Sequence, residues 1–288
     1  MILLTGSSGF IGKHIYNILK KYYGVIPFDK KCGKDLLNIK QLEKSIQKCE
    51  IVVHAAAEAN FENMEVFDKS FSSTSMNIQG THNIAHLCSK HEKKLIFIST
   101  CCVYGNASKF VEEIKVYPKD LYSFSKLAGE NIIFGYHKNF DLQFIILRIA
   151  TCYGPNMRPE LGIAKFIYNA SKNIPLPIHG NGKQTRTFTH VYDIAQGVLK
   201  SIKFFNIAKN NIINISTTEQ TSALQAAKDI IRLCKSKSPL QFVKQRKHQI
   251  FKENVSNHKA MQLLKWSPKY NWQKGICQTI KTYVNQKY

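Results

Sequence analysis

Short apolar runs alternate with amphipathic stretches through the first half of the chain. Ile2–Thr5, Val25–Phe28, Ile51–His54, Leu95–Ser99 and Phe144–Leu147 are near-continuous apolar runs, the pattern of strands buried on both faces. Between them, apolar positions at helical spacing predict helices over 11–22, 39–48, 75–91 and 123–137. Regular strand–helix alternation of this kind predicts an α/β fold, a doubly wound parallel sheet with helices on both faces. Beyond about residue 153 the alternation loosens, and Gly154-Pro155, Pro159, Pro175, Pro177 and Gly180-Asn181-Gly182 punctuate the chain. The expected division is a first domain over 1–152 and a smaller C-terminal lobe over 153–288, with a strand near 212–215 returning to the main sheet.

The composition fits that picture: 288 residues, 44% of them hydrophobic, supply a core of the required size. No apolar window is long enough for a membrane span. The opening Ile2-Leu3-Leu4 run breaks at Thr5-Gly6 with no basic leader before it, so a cytoplasmic protein is expected. Eight cysteines lack the spacing of a zinc or disulfide framework, several lying inside apolar runs; they read as reduced, mostly buried thiols, with no metal site. The net charge of +22 would attract polyanions. The lysines are nevertheless spread along an Asn- and Ile-rich chain, as an AT-rich genome would produce on solvated faces. No interleaved aromatic–basic motif of the kind that stacks bases is present, which argues against nucleic acid as a partner.

Thr5-Gly6-Ser7-Ser8-Gly9-Phe10-Ile11-Gly12 follows the first predicted strand and opens the first helix. Glycines at these points allow a tight turn, close approach of backbone to a pyrophosphate, and close helix–strand packing, while the helix N-terminus offers amides to phosphate oxygens. A glycine string alone is a weak signal; its place in the alternation makes it a dinucleotide-binding turn. Asp29 ends the second strand, where a carboxylate accepts from ribose hydroxyls and repels a 2′-phosphate, favouring NAD over NADP. Lys30 and Lys31 pull the other way, since either could pair with that phosphate.

Tyr122 and Lys126 stand four apart, on one face of a predicted helix. A nearby cation lowers a phenol's pKa and equips it for proton transfer. Tyr16/Lys20, Tyr168/Lys172, Tyr270/Lys274 and Tyr283/Lys287 share the spacing; only Tyr122 follows the fourth strand, whose end carries Ser99-Thr100 and Val103-Tyr104-Gly105.

These strings together resemble the extended short-chain dehydrogenase/reductases, the NAD-dependent epimerase/dehydratase family. The match includes TGxxGFIG at the start, His54-Ala55-Ala56-Ala57, Asn77-Ile78-Gln79-Gly80-Thr81, and the run from Phe97 to Gly105 followed by Tyr122-Ser123-Phe124-Ser125-Lys126. It continues through Arg148 to Tyr153-Gly154-Pro155, Gly180 to Arg186, His190-Val191-Tyr192-Asp193 and Leu263-Leu264-Lys265-Trp266-Ser267-Pro268, covering about residues 1 to 275. The resemblance implies a Rossmann-type NAD-binding domain with a substrate-binding lobe, and a Thr100–Tyr122–Lys126 triad. Thr100 would bond the reacting oxygen, Tyr122 would be the acid/base, and Lys126 would tune it and hold the nicotinamide ribose. Gly6, Gly9, Phe10, Ile11, Gly12, Asp29, Asp35, Leu36, Ala55, Ala56 and Asn77 would line the cofactor with Tyr122 and Lys126. Thr100, Tyr122, Thr151, Arg186 and Arg246 would meet a nucleotide-sugar substrate, the arginines as pyrophosphate clamps, although Arg246 in Gln245-Arg246-Lys247-His248 reads equally well as an exposed basic loop. A homodimer through the helix near 65–90 and the Tyr122 helix is also implied.

Dehydratases and decarboxylating members of the family usually carry acids just after the Ser/Thr, where this chain has Cys101 and Cys102. That favours a UDP-glucose 4-epimerase-like reaction, in which a hydride leaves the sugar, the keto-sugar turns over and the hydride returns to its other face. Two departures bear on the substrate pocket: Thr151 stands where the family has Asn, and Thr187 where Asp follows the arginine. Alternatives are a nucleotide-sugar reductase, dehydrogenase or dehydratase of the same family, and an RNA-binding or regulatory protein on a dehydrogenase fold.

Overall fold

Six parallel strands carry the predicted alternation, and the structure, a computed structural model, describes residues 1–59, 66–246 and 250–285. The strands are β1 (Ile2–Thr5), β2 (Val25–Phe28), β3 (Ile51–His54), β4 (Lys94–Thr100), β5 (Phe144–Ile149) and β6 (Asn211–Ile215), in the order β6-β5-β4-β3-β1-β2. Every neighbouring pair in this Rossmann-type sheet is parallel. β1, β2 and β3 keep the bounds of their apolar runs. β4 and β5 run further, through Thr100 and Ile149, because polar Ser99, Thr100 and Arg148 are buried there too.

Helices cover both faces. On one side α1 (Phe10–Leu19) and α6 (Val191–Lys203) close over Leu4, Val53, Ile96, Ile145 and Ile213. On the other, α2 (Ile39–Ile46), α3 (Phe67–Lys90) and α4 (Leu121–Phe140) cover Leu3, Val52, Leu95, Phe97 and Ile146. Burying one such Ile or Leu contributes roughly 1.5–3 kcal/mol. α3 begins well before the predicted residue 75. Its first turns, residues 67–73, bury only the small Ser70 and Ser73, so no apolar stripe announced them.

Further on, α5 (Gly162–Ser171), α7 (Ala223–Leu233) and α8 (Trp272–Asn285) enclose a separate apolar cluster with Tyr153, Phe166, Ile178, Phe188, Ile230 and Trp272. Three two-stranded ladders edge this part: Cys152–Tyr153 with Thr189–His190, Leu176–His179 with Leu240–Val243, and Thr185–Arg186 with Thr221–Ser222. The strand order reverses between β1 and β3. A crevice therefore opens at their C-terminal ends, the place where open α/β sheets bind nucleotides. Among the described residues, no helix is long and apolar enough to cross a membrane.

Candidate active site

The glycine turn sits in that crevice. Gly6 holds φ +68°, and a Cβ there would lie 2.6 Å from the Ala56 amide nitrogen. At Gly12 a Cβ would meet the Gly6 carbonyl oxygen at 1.9 Å, so neither position admits a side chain. Gly9 caps α1 without a side-chain bond, leaving the first amides of the helix without a side-chain cap, and the Ser7 hydroxyl is buried without a hydrogen-bond partner. A side-chain-free cradle, uncapped amides and an orphaned hydroxyl suit a dinucleotide pyrophosphate. Asp29 holds the rim, its carboxylate accepting from the amides of Ser8 at 3.1 Å and Lys31 at 3.0 Å. Phe10 and Ile11 are half-buried, Phe10 against the C-terminal cluster and Ile11 against the sheet core. Asp35 shapes a turn by accepting from Leu37 N–H, while the Leu36 carbonyl accepts from Asn83 on α3.

A directional hydrogen-bond chain joins this floor to the helix that carries Tyr122 and Lys126. Thr81 donates to the Asn77 carbonyl at 2.8 Å, so its oxygen accepts from His54 Nε2–H at 3.1 Å. His54 Nδ1 then accepts from the Thr5 hydroxyl at 2.7 Å, and Thr5 in turn accepts from Ala56 N–H. This fixes one neutral tautomer. Burial, reinforced by the Lys126 ammonium, pushes His54 down to about 3. Asn77 clasps both backbone groups of Glu58 and donates to Ser125 Oγ at 3.0 Å; Ser125 donates to the Tyr122 carbonyl.

Asp120 decides where that helix starts. Its carboxylate accepts from Ser123 N–H at 2.7 Å in a capping box, which places Tyr122 in the first turn and Lys126 one turn on. Thr100 ends β4 and accepts from Cys102 N–H at 3.1 Å. Burial drives the Tyr122 phenol above its ordinary range; neighbouring Cys102 and Asp120 add to this, and the Arg158 guanidinium opposes it. Lys126 is only 3% exposed, its Nζ lies 4.0 Å from the Phe97 ring centroid, and burial pushes it down to about 7 against the pull of Glu130. The two thiols after Thr100 stay protonated. Burial raises Cys101 well above its ordinary value and Cys102 to about 12.

One turn beyond Lys126 on α4, Glu130 is held by Arg148 through Nε at 3.1 Å and Nη2 at 2.7 Å. Ser99 donates to the same carboxylate, and Arg148 stacks on Tyr104 at 4.7 Å. Burial works against the Arg148 charge, but the Glu130 bonds outweigh it and the guanidinium stays firmly protonated. This pair ties β4 and β5 to α4.

Of the expected substrate residues, Thr151 and Arg186 come together and Arg246 does not join them. Arg246 is exposed beyond the Leu240–Val243 strand, and Lys247 and His248 lie outside the described residues. The organiser of the other two is Glu253, which no motif flagged. Its oxygens accept from the Thr151 hydroxyl at 2.7 Å and the Thr187 hydroxyl at 2.6 Å, and Arg186 Nε lies 3.8 Å away. Arg158 was also missed; it donates to the Ala59 carbonyl at 2.9 Å and bears on the Tyr122 phenol. The signal for Glu253 lay in the two hydroxyls themselves, since Thr151 and Thr187 leave room for an acid from elsewhere.

The profile of the NAD dependent epimerase/dehydratase family matches residues 2–216. A trifunctional UDP-glucose 4,6-dehydratase/UDP-4-keto-6-deoxy-D-glucose 3,5-epimerase/UDP-4-keto-L-rhamnose-reductase of Arabidopsis thaliana is 28% identical over 98% of this chain, and the chain spans 47% of that protein. The dTDP-D-glucose 4,6-dehydratase of Bos taurus is 31% identical, covering 98% of this chain and 88% of its own. The crystal structure of UDP-glucuronic acid 4-epimerase from Bacillus cereus, in complex with UDP-glucuronic acid and NAD, superposes with a TM-score of 0.93 at 28% identity over 99% of both chains. The relatives are nucleotide-sugar epimerases and dehydratases, NAD is the cofactor of the group, and this chain belongs to the NAD-dependent epimerase/dehydratase family.

Proposed function

We propose that this protein is an NAD-dependent nucleotide-sugar epimerase of the UDP-glucose 4-epimerase kind. The observation that carries the reading is that, among the described residues, no free acid stands beside Thr100. Elimination of water from a sugar needs a group that protonates the departing hydroxyl, and Cys101 and Cys102 are both pushed above the thiol range. The described carboxylates that act on these two thiols are engaged: Asp120 caps α4, Glu253 holds Thr151 and Thr187, and Glu112 accepts from Asn214 N–H at 2.7 Å. Inversion at a carbinol carbon asks less. Bound NAD supplies the hydride acceptor and donor and the positive charge of its ring. Tyr122 takes the hydroxyl proton at its phenol oxygen and gives it back, Thr100 steadies the reacting oxygen, and Arg158 helps offset the burial that keeps the phenol protonated. Lys126, Asp29, Gly6 and Gly12 would hold the cofactor, and Arg186 would grip the substrate's diphosphate.

The 31% identity to a dehydratase favours dehydration as the second reading. Incubating the NAD-loaded protein with UDP-, dTDP- and GDP-sugars separates the two. Epimerisation gives a product of unchanged mass with one inverted centre by NMR. A keto product lighter by one water indicates dehydration and sinks the proposal, as does accumulation of NADH in proportion to substrate, the mark of a dehydrogenase. We also propose a homodimer paired through α3 and α4, which expose Phe67, Phe71, Leu121 and Phe124. A cytoplasmic location is supported by eight free cysteines.

A further inference from the structure

We propose that Glu253 is the positioning residue of the substrate pocket, a carboxylate that sets the direction of the Arg186 guanidinium and the polarity of the Thr151 hydroxyl for a nucleoside-diphosphate ligand. The inference rests on the nucleotide-sugar reading and deepens it.

Glu253 is 2% exposed, and a carboxylate so deeply buried persists only when its oxygens are bonded. Oε1 accepts from Thr187 N–H at 3.3 Å, Thr187 Oγ1 at 2.6 Å and Thr151 N–H at 3.2 Å. Oε2 accepts from Thr151 Oγ1 at 2.7 Å and faces Arg186 Nε at 3.8 Å. The backbone is stitched in as well: Glu253 N–H donates to the Thr185 carbonyl at 3.2 Å, and Thr185 N–H donates to Phe251 at 3.0 Å. Arg186 is pinned at a second point, Nη1 donating to the Thr185 carbonyl at 2.7 Å. The guanidinium is thus held from two sides, at Nε and at Nη1, which leaves Nη2 to a ligand. Side chains of this length lose much rotamer freedom on ordering, and pre-ordering removes that cost from binding.

Two consequences follow for the pocket. Thr151 spends its only proton on Glu253, so toward a ligand it is an acceptor, where an amide would both donate and accept. Thr187 cannot supply an acid beside Arg186; Glu253 brings one from 66 residues further along the chain. Both departures therefore belong to a single relocated carboxylate. The group stands close to the candidate triad, since the Cys102 thiol, bonded through its amide to Thr100, feels both Glu253 and Arg186.

The test uses NAD-loaded protein, UDP and dTDP as calorimetric probes, and Glu253→Ala, Glu253→Gln, Arg186→Ala and Thr187→Asp, singly and combined. Glu253→Ala is expected to raise Kd about tenfold, with bound NAD unchanged and KM rising more than kcat falls. Glu253→Gln, which keeps the shape, should fall between and covers the case in which the alanine variant fails to fold. Adding Thr187→Asp to Glu253→Ala should return Kd to within about threefold of wild type, and Glu253→Ala should add little to Arg186→Ala. Unchanged Kd in both Glu253 variants, or additive effects of Arg186→Ala and Glu253→Ala, overturn the assignment alone. Failure of wild-type protein to bind either nucleotide overturns the nucleotide-sugar reading and this inference with it.

Discussion

Replacing Lys126 by methionine should make the NAD-free protein more stable while disabling it. The ammonium lies almost wholly out of water, and burial moves its pKa from 10.5 to about 7. At about 1.4 kcal/mol per unit, the charged form is disfavoured by roughly 5 kcal/mol in the fold. The Phe97 ring at 4.0 Å offsets about 1–2 kcal/mol of that. Unfolded, the lysine keeps its proton up to about pH 10.4; folded, it sheds it near 7. The unfolded chain thus binds more protons between those values, so stability rises with pH across that window and the penalty is complete below it. Lys126→Met should gain about 2–4 kcal/mol near pH 6, and about 1 kcal/mol near pH 9.5. Urea unfolding of NAD-free wild type and variant at both pH values measures the difference. A variant no more stable at the lower pH, or a gap that does not shrink on going alkaline, would show that the ammonium is solvated and the reasoning wrong.

Tyr122→Phe should lower turnover by at least about 100-fold with NAD content unchanged, read by single-turnover kinetics and by release of bound nucleotide; near-normal rates would remove the phenol from the mechanism. His54 and His190, held down at about 3 and about 4 by burial, stay neutral in the fold while the unfolded chain protonates them below about 6.5. Stability should therefore drop as pH falls from about 6.5 to 4, by on the order of 5 kcal/mol, and His54→Gln should flatten that part of a thermal-unfolding series. Glu130→Gln breaks a bidentate pair in which both partners are buried and should cost about 3–5 kcal/mol, seen as an earlier urea midpoint with an unchanged slope.

The sheet could be read from the chain because its strands are buried on both faces, so Ile2–Thr5, Val25–Phe28 and Ile51–His54 stand out as bare apolar runs. The glycine turn and the Tyr122–Lys126 pair were legible for a related reason: steric need at Gly6 and Gly12, and helical spacing along α4, are local. The opening turns of α3 were not, since Phe67 and Phe71 face outward and only serines are buried. Glu253 was hidden most completely. Its partners Thr151 and Thr187 lie 102 and 66 residues before it, and nothing in Phe251-Lys252-Glu253-Asn254 marks it.

The sixth strand of the sheet is supplied by Asn211–Ile215, which pairs with β5 across residues 145–149. A nascent chain that has emerged only as far as α6 therefore carries β5 as a bare, unpaired edge, with Ile146 and Leu147 on it. Such an edge invites pairing between neighbouring chains on one polysome. Completion of the nucleotide-binding layer must wait until about residue 215 has cleared the ribosome, and slow translation before that point should favour aggregation.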